Sequence, residues 1–158
     1  MSILTANLVL STLVFWIAAR TYVAPNLARW KPEAVLVPIL LLHSLRHLGL
    51  MFVADGGTWP GIPPQFAYPA AFGDLLAAIL AMAALLAGTP RLLVWIFNVV
   101  GTLDLIAAIA LATIFDAPPF MGPAYWIPAF WVPALLVTHY LTFVILTRNE
   151  KSPAPAAA

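Results

Sequence analysis

LLVWIFNVVGTLDLIAAIALATIF, residues 92–115, decides the architecture. The run holds one ionisable side chain, Asp104, and is far too long for a strand. At a rise of about 1.5 Å per residue, a helix of this length covers the hydrocarbon core of a bilayer, about 30 Å thick. Four further stretches outward from it meet the same criterion: residues 4–24, 34–54, 67–88 and 125–147. The breaks between them, 25–32, 55–64, 89–91 and 116–123, are rich in Pro and Gly or carry charge. The expected fold class is all-α, a polytopic transmembrane bundle of five helices in a single domain over residues 1–147.

Composition agrees with that reading. The chain is 63% hydrophobic and 8% charged with a mean hydropathy of +0.98, whereas soluble domains carry roughly 25% charged residues. A net charge of +1, with the bases scattered singly, provides no basic face, so nucleic acid is excluded as a partner. The absence of cysteine removes disulfides, thiolate metal sites and iron–sulfur clusters, which leaves His, Asp and Glu for any metal. The first stretch has no basic segment before it and is expected to be a retained helix rather than a cleaved signal. Residues 148–158, ending SPAPAAA, read as a disordered cytoplasmic tail.

Orientation follows from the bases. Arg20, Arg29 and Lys31 fall between helices one and two, Arg91 between three and four, and Arg148 and Lys151 after five, while the alternate loops carry only Asp55 and Asp116. Lys and Arg are retained on the cytoplasmic side, so the expected topology is N-out and C-in, in a bacterial inner membrane. Pro128 and Pro133 in the first half of helix five predict a kinked entry, because each removes a backbone donor. Tyr125, Trp126, Phe130 and Trp131 at that entry, with Trp59, Phe66 and Tyr68 across from them, suit an aromatic belt at the outer headgroups.

Helix two contains Leu42-His43-Ser44-Leu45-Arg46-His47 well inside its apolar span. Helical spacing puts His43, Arg46 and His47 on one face, and the cost of charge in lipid turns that face into the bundle. Asp74 shares a face of helix three with Ala77, Ala81, Ala84 and Gly88, and Asp104 shares one of helix four with Asn98, Gly101, Ala108 and Ala112. Counting residues along each span places Arg46, His47, Asp74 and Asp104 about 20 Å from the cytoplasmic boundary, so that they meet. His139 on helix five is expected near the level of His43. One arginine against two aspartates leaves a net negative charge, which couples the site to protons or to a cation.

Several functions are open to such a cluster. The leading one is the binding or movement of a small polar or anionic molecule, or of protons, with Arg46 gripping an anionic group and His43, His47, Asn98, Asp74 and Asp104 around it. A second is a divalent metal site formed by His43, His47, Asp74 and Asp104. A third is b-type haem held between His43 and His139. A fourth is an accessory subunit, either self-associating or part of a larger membrane complex. No phosphate-binding glycine loop, nucleophile elbow or His-Glu-x-x-His motif argues for an enzyme.

Overall fold

A computed structural model describes residues 3–148, so the tail expected after Arg148 lies outside the described residues. The described chain is helical throughout, without strands, and holds five helices long and apolar enough to cross a membrane. Helix α1 (Ile3–Ala18) runs on through a wide π-type turn, Ala19–Val23, into a short 3-10 turn. Helix α2 (Pro32–Ser44) continues without a break as a 3-10 helix, Leu45–Phe52. Helices α3 (Pro64–Leu86) and α4 (Arg91–Ile114) are uninterrupted. The fifth span enters through a 3-10 turn, Gly122–Tyr125, and a π segment, Ile127–Trp131, that contains Pro128, before α5 (Val132–Arg148).

Local chemistry explains the ends. Pro32 and Pro64 open α2 and α3, where the missing N–H has no intrahelical partner to lose. Gly88, at φ 78°, stops α3, and the next N–H, of Thr89, turns back to the Ala84 carbonyl at 2.7 Å. Asp116, at φ 47°, does the same for α4, with the Ala117 N–H on the Ala112 carbonyl at 3.0 Å. Aspartate is among the few residues with a side chain that visit this conformation readily.

Helix α3 is the hub, packed most extensively against α4 and against the 3-10 half of the second span. Its seam of Ala77, Ala78, Ala81 and Ala84 is fully buried, as small residues at a close helix contact should be. Helix α1 contributes no buried residue and rests against α5 at the edge of the bundle. Apolar packing forms two clusters. One, around Leu40, Ala84, Phe97 and Leu141, lies toward the end that carries the bases, and the other, around Phe52, Phe66, Leu105 and Leu135, lies toward the opposite end. The buried ionisable residues, His43, Arg46, Asp74 and His139, fall between the two.

The change from α to 3-10 geometry in the second span positions the site. At three residues per turn, residues 43, 46, 49 and 52 stack in one line. His43, Arg46, Gly49 and Phe52 are all buried, and the residues between them are not.

Candidate functional site

Arg46 is the centre of a buried network that joins four helices. Its Nε–H donates to Asp74 Oδ1 of α3 at 2.7 Å, and one Nη2–H donates to Asp104 Oδ2 of α4. The two Nη1 hydrogens reach the Gly101 carbonyl and His139 Nε2 of α5, each at 3.2 Å. Because a guanidinium only donates, His139 accepts at Nε2, and its Nδ1–H therefore donates to Asn98 Oδ1 at 2.8 Å. Asn98 Nδ2 closes the clamp on the His139 carbonyl at 3.3 Å. The arginine side chain is wholly buried, and both carboxylates are nearly so, at 10% and 14% exposure.

Three glycines make room for this network. A β-carbon at Gly49 would overlap the Asp74 carboxylate, and one at Gly73 would overlap Asp104 Oδ1. One at Gly101 would stand 2.7 Å from His139 Cε1 and 2.8 Å from Arg46 Nη1. Each charged group thus presses against bare backbone on the neighbouring helix. Such close approach leaves the ion pairs largely shielded from solvent, which strengthens them.

His43 sits one turn below Arg46. Its Nε2 lies 2.9 Å from the Thr138 hydroxyl, which itself donates to the carbonyls of Ala134 and Leu135. Nε2 is therefore the donor, and Nδ1 is left as an acceptor with no partner among the described residues, in a completely buried side chain. The His43 ring also touches those of His139 and Phe97, with centroids 4.3 and 4.9 Å apart.

Of the residues singled out in the sequence, His43, Arg46, Asp74, Asn98 and Asp104 come together, and His139 joins them through Arg46. His47 does not: it is exposed, and its Nδ1 meets the Ser44 carbonyl at 3.0 Å. The expectation of a shared face assumed 3.6 residues per turn, whereas the 3-10 turn carries residue 47 away from the line through residues 43 and 46. The proposed metal set of His43, His47, Asp74 and Asp104 is consequently not assembled. The Arg46 guanidinium stands between the two carboxylates, and no group of three or more metal-ligating side chains occurs among the described residues. Haem between His43 and His139 is also at odds with the geometry, because the rings are in direct contact and leave no slot for a macrocycle. Arg46 has four of its five N–H groups committed to the protein, so its expected grip on an external anion is largely closed off.

Sequence reasoning missed the Arg46–His139 contact and the glycines Gly49 and Gly73, whereas it places Gly101 on the small-residue face of helix four. A signal was present in that Gly49, Gly73 and Gly101 each fall within three residues of a charged position inside an apolar span.

Each carboxylate keeps one oxygen, Asp74 Oδ2 and Asp104 Oδ1, without a hydrogen-bond partner among the described residues. Asp74 also lines a cavity of about 490 Å³ that opens toward the end opposite the bases. Its walls are apolar, with Leu8, Phe52, Phe66, Leu105 and Ile127 among them, and Thr5, Thr113 and Asp116 are exposed residues of its lining. Asp74 lies ten residues into α3, about 15 Å along the helix from its first turn.

No curated protein and no solved structure matches this chain. Residues 3–147 match a family model over nearly the whole described bundle, and the chain belongs to that family, described as "Domain of unknown function (DUF8737)".

Proposed function

We propose that the protein is a bilayer-embedded binding module for a small molecule with an apolar body and one cationic or hydrogen-donating group, which enters the 490 Å³ cavity and meets Asp74. The observation that carries this reading is a half-satisfied carboxylate in the lining of a largely apolar cavity whose other polar residues, Thr5, Thr113 and Asp116, are exposed, within the usual ligand-pocket range of about 300–1,000 Å³. Charge supports the same choice. With neutral imidazoles, Arg46, Asp74 and Asp104 sum to one negative charge, which a cation or a transferable proton on the ligand balances and an anion does not. The network of Arg46, His139 and Asn98 serves to hold Asp74 and Asp104 in place.

In the membrane, the cavity faces outward if the N-terminus lies outside and the C-terminus in the cytoplasm. That topology rests on the bases at the α1–α2, α3–α4 and α5 ends, and a bacterial inner membrane is the location proposed with it. Reporter fusions read it: a cytoplasmic signal after Gly88 and an external one after Pro118 are expected, and the reverse pattern overturns it.

The binding reading is tested with three probes of one shape, 4-phenylbutylamine, 4-phenylbutanol and 4-phenylbutyrate, added to the detergent-purified protein. A ligand that binds the folded state raises the unfolding midpoint in proportion to its occupancy. The amine is expected to raise it most, the alcohol less and the acid not at all, with the amine's effect lost in Asp74→Asn. An equal effect of acid and amine, or an amine effect that survives Asp74→Asn, defeats the reading.

A further inference from the structure

A second concavity, of about 320 Å³, lies at the other end of the molecule, between the end of α1 and the last turns of α5. Its wall is apolar, formed by Ala19, Ala24, Leu27, Leu141 and Val144. The Trp16 and Tyr140 rings line it as well and touch each other, with centroids 5.0 Å apart. Arg20, from the end of the first span, and Arg148, from the last turn of α5, both line it. Both arginines are exposed, and neither has an ion-pair or hydrogen-bond partner among the described residues. Arg148 and Leu27 also border a small adjoining pocket that Lys31 and Trp30 line. The wide π-type turn, Ala19–Val23, supplies Arg20 to this site, and such turns are inserted where a helix must reshape a local surface.

We infer that this groove is a binding site for an anionic phospholipid, with its phosphate headgroup between Arg20 and Arg148 and an acyl chain along the apolar wall. Charge complementarity selects the occupant. Two guanidiniums without a partner among the described residues call for a phosphate, which each can hold through paired N–H donors. The apolar wall beneath them calls for a hydrocarbon chain attached to that phosphate, which a soluble anion lacks. The Trp16 and Tyr140 rings, a turn or two deeper than the arginines along their helices, extend the apolar surface on which an acyl chain would lie. Helix α1, with no buried residue of its own, leaves this side of the bundle open to lipid. Basic clefts between helices at the cytoplasmic face are the usual form of such sites.

The test uses the protein in bilayers of equal parts phosphatidylglycerol and phosphatidylcholine, with spin-labelled versions of each lipid reporting which is held at the protein surface. Two arginines near the membrane surface predict a preference for phosphatidylglycerol on the order of tenfold at the groove. The expected result is that Arg20→Gln with Arg148→Gln removes the preference. The pair Arg20→Lys and Arg148→Lys keeps it in part, and Arg29→Gln, at the same end but outside the groove, leaves it unchanged. Excess inorganic phosphate is expected not to displace the lipid. The inference is overturned by a wild type without preference, by a glutamine double variant that retains it, by an equal loss in Arg29→Gln, or by displacement with free phosphate. Circular dichroism confirms that the glutamine variant is folded. If it is not, the lysine pair decides, and loss of preference in a folded lysine pair overturns the inference.

Discussion

Arg46 and the pair Arg20 and Arg148 place the same side chain in opposite surroundings. At the centre of the bundle, Arg46 is wholly buried, bonded to two carboxylates, a carbonyl and an imidazole, and pressed against bare backbone at Gly101. At the end of the bundle, Arg20 and Arg148 are exposed beside an apolar groove, without an ion-pair partner among the described residues. The contrast separates two uses of a cation in lipid. A charge enclosed by protein must be matched inside the protein, because nothing else is within reach to solvate it. A charge at the boundary can stay open and take its partner from the membrane surface.

The largest effect that breaks this comparison comes from Arg46. Arg46→Gln strands two buried carboxylates without their cation, and the expected loss of stability is about 3–5 kcal/mol, read as a fall in the unfolding midpoint in detergent. Replacing the whole set, as Arg46→Met with Asp74→Leu and Asp104→Leu, is expected to recover most of that loss, because no buried charge then remains. A triple variant as unstable as the single one would show that packing at Gly49 and Gly73, rather than charge, carries the site.

A smaller effect is expected from Gly101→Ala. Its methyl group enters space held by His139 and the Arg46 guanidinium, both locked by hydrogen bonds, and overpacking of this kind costs about 1–3 kcal/mol. The same melting experiment reads it, and an unchanged midpoint would mean that the network has slack to yield. The smallest effect on stability belongs to Arg20→Gln with Arg148→Gln, whose midpoint should match the wild type, since both side chains are exposed and have no hydrogen-bond or ion-pair partner among the described residues to lose. Their consequence is expected in lipid preference alone.

Much of this molecule was legible in the chain before any tertiary contact was known. Uninterrupted apolar length predicts five spans, since an unpaired backbone in hydrocarbon permits little besides a helix. The observed spans begin and end within a few residues of those limits, at prolines and left-handed stops that are written locally. The cost of charge in an apolar span likewise marks Arg46, Asp74 and Asp104 as inward-facing and mutually paired. Three features depended on the assembled bundle. The 3-10 geometry of Leu45–Phe52 moved His47 out of the cluster, and a local pattern of ionisable residues does not encode residues per turn. The partnership of Arg46 with His139, 93 positions apart, needed two helices with no short connection between them to meet in register. The placement of Asp74 in the lining of a cavity depends on α1, α3, α4 and the entry to α5 together. Sequence determines what each helix must hide from lipid, because that cost is paid residue by residue. Tertiary structure decides which groups meet, and which are left unsatisfied, because that depends on the turn, tilt and close approach of helices that only packing sets.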